Sequence, residues 1–130
     1  MKTPLRRIVL IGENIELRIV SLVVRCREVA EDVVVFDTGS TDETVQLAGE
    51  VQSRVVEYNG DLTPQHLAKA AVSASLDDGL TLFLPISPMW KMAELPLSVN
   101  RAREGWDIHY LYREQPGTNA LEPMVLANSS

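Results

Sequence analysis

The densest concentration of ligand-capable groups lies in six residues, Asp37-Thr-Gly-Ser-Thr-Asp42, which follow the apolar run Val33-Val-Val-Phe36 and precede Glu43 and Thr44. A carboxylate at the end of an apolar strand can accept hydrogen bonds from a base N–H or a sugar hydroxyl, and Gly39 allows the backbone to turn close to a ligand. On that ground Asp37 is the first candidate binding residue, with Gly39, Ser40 and Asp42 beside it. The same residues also have a use in folding alone. Ser40 and Glu43 have the spacing of a capping box, Asp42 and Glu43 suit the positive end of a helix, and Gly39 suits a tight turn. That second use leaves unexplained a carboxylate at Asp37, at the end of an otherwise apolar strand.

Other polar groups are less organised. His66 stands beside Gln65 on a helical segment and His109 on an alternating one, and nothing pairs them as metal ligands or as a base. Cys26 is the only cysteine, which excludes an internal disulfide and a cysteine-based zinc cluster. The Asp77-Asp78 pair precedes Gly79 and reads as a polar turn before a strand, at the sheet edge opposite Asp37. Glu94, Glu104, Asp107, Glu114 and Glu122 fall in no recognisable motif and read as surface carboxylates. The pairs Arg6, Arg7 and Arg25, Arg27 read as solvated flanks of apolar runs.

The elements that must position these groups follow from apolar patterning. Ile8-Val-Leu-Ile11, closed by Gly12, and Val33-Val-Val-Phe36 are short, β-branched and continuous, as strands buried on both faces are. Between them a helix is expected over 13–30, with Leu17, Val20, Val24 and Ala30 at helical spacing and Ile19, Leu22 and Val23 broadening the stripe. A second helix over 43–51, a strand over 54–58, a helix over 64–76 with Pro64 in its first turn, and a strand over 80–84 follow. Pro85 and Pro88 end that strand, since neither can donate to a ladder hydrogen bond. Beyond them a helix over 89–103, divided by Pro96, and an alternating edge or antiparallel strand over 106–113 are expected, with an irregular tail from about residue 115.

Strand and helix thus alternate four times, which predicts one α/β domain over 1–130. It is three-layered, with a mostly parallel, Rossmann-like sheet of about four to five strands and helices on both faces. Ligands in such sheets bind beyond the carboxyl ends of the strands, near the point where strand order reverses. The loops to read are therefore 12–14, 37–42, 59–61 and 85–88.

With that order, the block Val33-Val-Val-Phe-Asp-Thr-Gly-Ser-Thr-Asp-Glu-Thr44 resembles the second-strand signature of family 2 glycosyltransferases, which have the GT-A fold of nucleotide-diphospho-sugar transferases. In that family the strand-end Asp recognises the base or ribose of the donor, which points to Asp37. Glu13-Asn14 has the composition of the family's pair after the first strand, in reversed order, and Gly60-Asp61-Leu62 before an Ala-rich helix resembles its stretch before the fourth strand. The resemblance covers roughly 8–113 and is specific only over 33–44. It implies a nucleotide-binding set of Glu13, Asp37, Gly39, Ser40 and Asp42.

The chain departs from the family at the end of the fourth strand. Where the family has Asp-x-Asp, which holds Mg²⁺ or Mn²⁺ against the donor diphosphate, this chain has Pro85-Ile86-Ser87, with no carboxylate for a hard cation. The family's Arg-Asn pair on the preceding helix is matched by His66-Leu67. Inverting transfer also needs a general base, and none of the carboxylates after Ser87 stands in a recognisable motif. The expectation is therefore a degenerate, truncated glycosyltransferase-like domain that binds a nucleotide or nucleotide-sugar without autonomous catalysis, with no catalytic residue, no metal site and no cofactor. Two alternatives stand beside it. One is a metal-independent enzyme completed by a partner chain, with Lys91 and Arg101 as the basic residues near the diphosphate. The other is a structural homo-oligomer without ligand.

Composition bounds the partners. A formal charge of −6, from 18 acidic and 12 basic residues, argues against nucleic acid as the main partner, because phosphate binding needs a basic surface. No stretch approaches the roughly 18 apolar residues of a membrane span, and the short run after Arg7 is no signal-peptide core, so the expected compartment is the cytoplasm. Met89, Trp90 and Met92 read as packing residues. The aromatic strand Trp106 to Tyr112 is the expected contact for a homo-oligomer or partner protein.

Overall fold

The computed structural model describes residues 5–76, 80–86, 91, 95–96 and 124–127. Its centre is β1 (Leu5–Gly12), flanked in register by β2 (Asp32–Asp37) on one side and by β4 (Leu80–Pro85) on the other, both parallel to it. Ile8, Val9, Leu10 and Phe36, Val35, Val34 are all fully buried, which is why these runs show no polar alternation: both faces of the strands are covered. β3 (Arg54–Glu57) adds parallel to β2, and β5 (Met124–Ala127) adds antiparallel to β4, giving the order β3-β2-β1-β4-β5. Strand order reverses between β1 and β4. With right-handed crossovers, α1 and α2 then share one face of the sheet and α3 takes the other, and α1 and α2 do pack together.

The α/β, mostly parallel sheet is as expected, but two elements differ. The tail expected to be irregular from about 115 contains β5, a four-residue strand between Pro123 and Asn128. It is too short to carry a period of its own, and it is defined by pairing Phe83 with Met124 and Leu80 with Ala127. Of the expected helix over 89–103 only residues 91, 95 and 96 are described, the last two as helical, and the strand over 106–113, with its proposed interface, lies outside the described residues, as do Asp77, Asp78, Ser87, His109, Arg101 and the carboxylates at 94, 104, 107, 114 and 122.

The first helix, α1 (Ile19–Arg27), starts later than its pattern suggested and turns a different face inward. Ile19, Leu22, Val23 and Cys26 are fully buried, at i, i+3, i+4 and i+7, whereas Leu17 is 93% exposed and Val20 and Val24 are exposed. Two apolar stripes compete on this helix. The buried one carries the larger, more closely spaced set, and it is seeded by Ile15, whose carbonyl accepts from the N–H groups of Arg18 and Ile19. α2 (Thr44–Glu50) buries Thr44 and Ala48. α3 (Pro64–Ser73) follows Thr63, whose side chain caps it by accepting from His66 N–H, with Pro64 in the first turn as expected. The Phe36 ring stacks on Tyr58 at 5.3 Å and meets Phe83 edge-on at 6.0 Å.

The amino end of the sheet is locked by one buried cation. Arg7, expected to be solvated, is only 3% exposed. Its register neighbours are Asp32 on β2 and Thr81 on β4. The guanidinium donates to Asp32 Oδ2 at 2.7 Å, to the Leu76 carbonyl at 3.0 Å and to Thr81 Oγ1 at 3.4 Å. A buried charge survives only with such partners, and here they tie β2, the chain after α3 and β4 to the central strand. Arg6, on the other side of the strand, is the half-exposed one and pairs with Glu31.

Candidate functional site

At the carboxyl end of the sheet, two loops meet: 13–18 after β1 and 38–43 after β2. The ladder continues past the strands, with Thr38 N–H donating to the Gly12 carbonyl at 3.1 Å and Tyr58 N–H to the Asp37 carbonyl at 2.8 Å. Asp37 is therefore held at strand geometry on both sides, and its side chain is 6% exposed. Both carboxylate oxygens turn onto Ser40: Oδ2 accepts from Ser40 N–H at 3.1 Å and Oδ1 from the Ser40 hydroxyl. Gly39, between them, has φ +132° and nothing within 4 Å of where a Cβ would stand, so the turn needs glycine and leaves its outer side open.

The capping box read from Ser40 and Glu43 does not form. Ser40 is committed to the strand end, and α2 has no side-chain cap from Glu43 at its N-cap position. Asp42 takes that task, with Oδ1 accepting from the Thr44 N–H at 2.9 Å and from the Thr44 hydroxyl, while Oδ2 accepts from Glu16 N–H at 3.3 Å. Burial tends to raise the Asp42 pKa, but the hydrogen bonds from the Thr44 hydroxyl, Thr44 N–H and Glu16 N–H together bring it below the ordinary carboxylate value. Asp42 is thus a loop and helix-start residue, facing inward to the junction.

The two loops are stitched by reciprocal bonds. Asn14, with φ 53°, donates its N–H to Ser40 Oγ at 3.0 Å and accepts at its amide oxygen from Thr41 N–H at 2.8 Å and Thr41 Oγ1 at 3.3 Å. The buried Thr44 hydroxyl accepts from Ile15 N–H at 2.9 Å, and Glu16 Oε2 accepts from Glu43 N–H at 3.0 Å. Glu13 Oε1 accepts from the Thr38 hydroxyl at 3.1 Å. The expected residues Glu13, Asp37, Gly39, Ser40 and Asp42 therefore do share one junction. Asn14, Glu16, Thr41 and Thr44 join them. Of the expected five, Glu13 and Gly39 are exposed to solvent, and of the residues that join them Asn14 and Thr41 are exposed too; Asp37 is spent on the turn.

The crevice expected at the reversal of strand order is occupied by the chain itself. Pro85 pairs with Ile11, Ile86 N–H donates to the Ile11 carbonyl at 2.7 Å, and the Ile86 carbonyl lies 3.0 Å from the position of a Cβ on Gly12. Pro85 stands inside the sheet ladder and its side chain brings no oxygen ligand. Among the described residues, no three His, Cys, Asp or Glu side chains are grouped to hold a metal ion.

A second polar cluster borders this edge after β3. His66 Nδ1 lies 2.6 Å from Thr63 Oγ1, its Nε2 is 3.9 Å from Asp61 Oδ2, and the Asp61 carbonyl accepts from the Tyr58 hydroxyl. Burial and the nearby Asp61 charge raise the Tyr58 pKa. The sequence pattern left His66 unassigned because its partners, three and five residues earlier, meet it only when the chain turns at Thr63. A groove of about 460 Å³ runs between β3 and α3, lined by Arg54, Val56, Tyr58, Ala70, Ser73 and Ala74 among others.

Compared with known proteins, the chain matches no family model and no curated protein.

Proposed function

We propose that the chain is a glycosyltransferase-like domain that binds a nucleotide or nucleotide-sugar at the junction of the 13–18 and 38–43 loops, without metal-dependent sugar transfer. The observation that carries this reading is the meeting of Glu13 and the Asp37–Ser40 turn at the carboxyl end of two adjacent parallel strands, the end at which open α/β sheets bind ligands. The roles differ from a simple transfer of the resemblance. The Glu13 carboxylate and the open side of Gly39 form the face offered to ribose hydroxyls or a base edge. Asp37 and Asn14 hold that face in shape. Pro85, in the position where the resemblance puts the first metal-binding carboxylate, supports binding without the ion.

The test is a titration of uridine and guanosine diphosphate sugars with and without Mn²⁺, comparing the native protein with Glu13→Gln and Asp37→Ala. Saturable, Mn²⁺-independent binding that weakens in Glu13→Gln and disappears in Asp37→Ala is the expected result. Absence of binding to either donor at millimolar concentration would remove the reading and leave a ligand-free structural protein, for which the oligomeric state becomes the measurement. Sugar release by the chain alone would overturn the non-catalytic half of the reading.

A further inference from the structure

We propose that Asn59–Gly60 is a site of spontaneous covalent modification, at which Asn59 converts through a cyclic succinimide to aspartate and isoaspartate. The reaction needs only water and a solvent base. Once its proton is removed, the Gly60 backbone nitrogen attacks the Asn59 side-chain carbonyl carbon. A new C–N bond closes the ring, and the bond to the side-chain nitrogen breaks, releasing ammonia. Water then opens the ring at one of its two carbonyls. One opening gives aspartate. The other gives isoaspartate, in which the main chain runs through the former side-chain methylene. The balance is one amide and one water consumed, one carboxylate and one ammonium formed.

The chain contains its own control for this chemistry. Of the five asparagines, 14, 59, 100, 119 and 128, only Asn59 precedes glycine, the residue that least hinders attack by its own nitrogen. Asn59 and Gly60 are both exposed at a turn, and neither forms a hydrogen bond with another described residue. Asn14 is the opposite case. Its amide oxygen is held by Thr41, and the following nitrogen belongs to β-branched Ile15 and is engaged by Thr44 Oγ1. Both the electrophile and the nucleophile are thereby kept from meeting.

The modification has a structural consequence at the carboxyl edge. Gly60 passes so close to Tyr58 that a Cβ on it would stand 2.9 Å from the phenolic oxygen, and that oxygen donates to the Asp61 carbonyl. Isoaspartate lengthens the chain between residues 59 and 60 inside this turn and adds a carboxylate beside Asp61, so it loosens the Tyr58–Asp61 hydrogen bond and makes the edge more acidic.

The test is to hold the folded full-length protein at mildly alkaline and mildly acidic pH, digest aliquots over time, and read peptide masses together with isoaspartate by enzymatic methylation. Urea-unfolded protein and Asn59→Gln run in parallel. The expected result is a gain of one mass unit on the Asn59 peptide before any other asparagine changes, faster at alkaline pH, with isoaspartate in excess of aspartate. Asn14 should convert only in the unfolded chain, and Asn59→Gln should lose the isoaspartate signal. If Asn59 stays intact in the folded protein while converting in urea, or if the mass gain persists in Asn59→Gln, the proposal is overturned.

Discussion

The two ends of the central sheet carry polar networks of opposite construction. At the amino end one buried guanidinium gathers acceptors from distant parts of the chain, among them Asp32 and the neutral Leu76 carbonyl and Thr81 hydroxyl. At the carboxyl end the groups are mostly carboxylates, hydroxyls and backbone N–H donors on two loops, partly open to water, with Glu13 and Gly39 on the outside. The first arrangement can do little except hold, because the guanidinium is buried among its acceptors. The second keeps acceptors at its rim after its internal bonds are made. The contrast separates a lock from an open junction, the proposed binding surface, although both begin as charged residues beside the same apolar strands.

The contrast breaks first at the lock. Arg7→Ala leaves the Leu76 carbonyl and Thr81 hydroxyl without their donor and Asp32 without its cation. The expected cost is about 3 kcal/mol, the low end for breaking a buried charge pair, because Asp32 retains contact with water. Urea denaturation monitored by circular dichroism measures it. Arg7→Met, which fills the same space without a charge, should recover part of the loss. A loss below roughly 1 kcal/mol, the scale of an exposed pair, would mean that the amino end is no lock.

At the carboxyl end the largest effect is expected from Thr44→Val, which keeps shape and removes one hydroxyl. That hydroxyl accepts from Ile15 N–H and donates to Asp42 inside the junction. Leaving the buried Ile15 donor unpaired should cost about 2 kcal/mol by the same denaturation measurement. Affinity for any ligand at Glu13 should fall further than stability alone requires, since the two loops lose their buried stitch. Equal stability of Thr44→Val and native protein would show that the exposed bonds of Asn14 suffice to hold the loops together.

These two networks also show what was legible in the residues. The continuous apolar runs at 8–11 and 33–36 announced buried strands, the apolar segment 80–84 a further strand, and Pro64 a helix start, because burial on both faces and first-turn geometry act locally. Asp37 stood out for its place at a strand end. Its partner did not: Ser40 has the spacing for either Asp37 or Glu43, and only the positive φ of Gly39 turns it back to the strand. Arg7 looked like Arg6, and the choice between them is made by strand alternation against α3 and β4. On α1 both stripes are apolar, so periodicity alone could not choose between Leu17, Val20, Val24 and Ile19, Leu22, Val23, Cys26. Asn14 to Thr41 and Ile15 to Thr44 span 27 and 29 residues, and nothing local encodes such pairs.

A smaller effect should appear on acidification. The Asp42 pKa is lower in the fold than the ordinary value of about 3.9. A carboxyl depressed by folding contributes stability above its unfolded pKa and loses that contribution as the pH falls through its folded pKa. The urea midpoint should therefore decline as the pH drops below the ordinary aspartate range, and Asp42→Asn should flatten that decline. A decline unchanged by Asp42→Asn would assign the acid sensitivity to other carboxylates and leave Asp42 as a geometric cap only.

The smallest effect on the folded state, and the sharpest probe of the comparison, comes from Cys26. Burial in α1 pushes its thiol up to about 12 from an ordinary 9, so at neutral pH the reactive thiolate is suppressed and the sulfur is also shielded. Alkylation should then proceed only through opening of the fold, which makes the labelling rate a report on which network guards the core. Because Arg7 ties together strands on both sides of β1, Arg7→Ala should accelerate labelling in proportion to its loss of global stability. Variants of the exposed junction, such as Glu13→Gln, should leave the rate near that of the native protein, since loops can part without releasing α1. Equal acceleration by both kinds of variant would mean that the two ends open as one cooperative unit, and the division into lock and binding surface would describe chemistry but not stability.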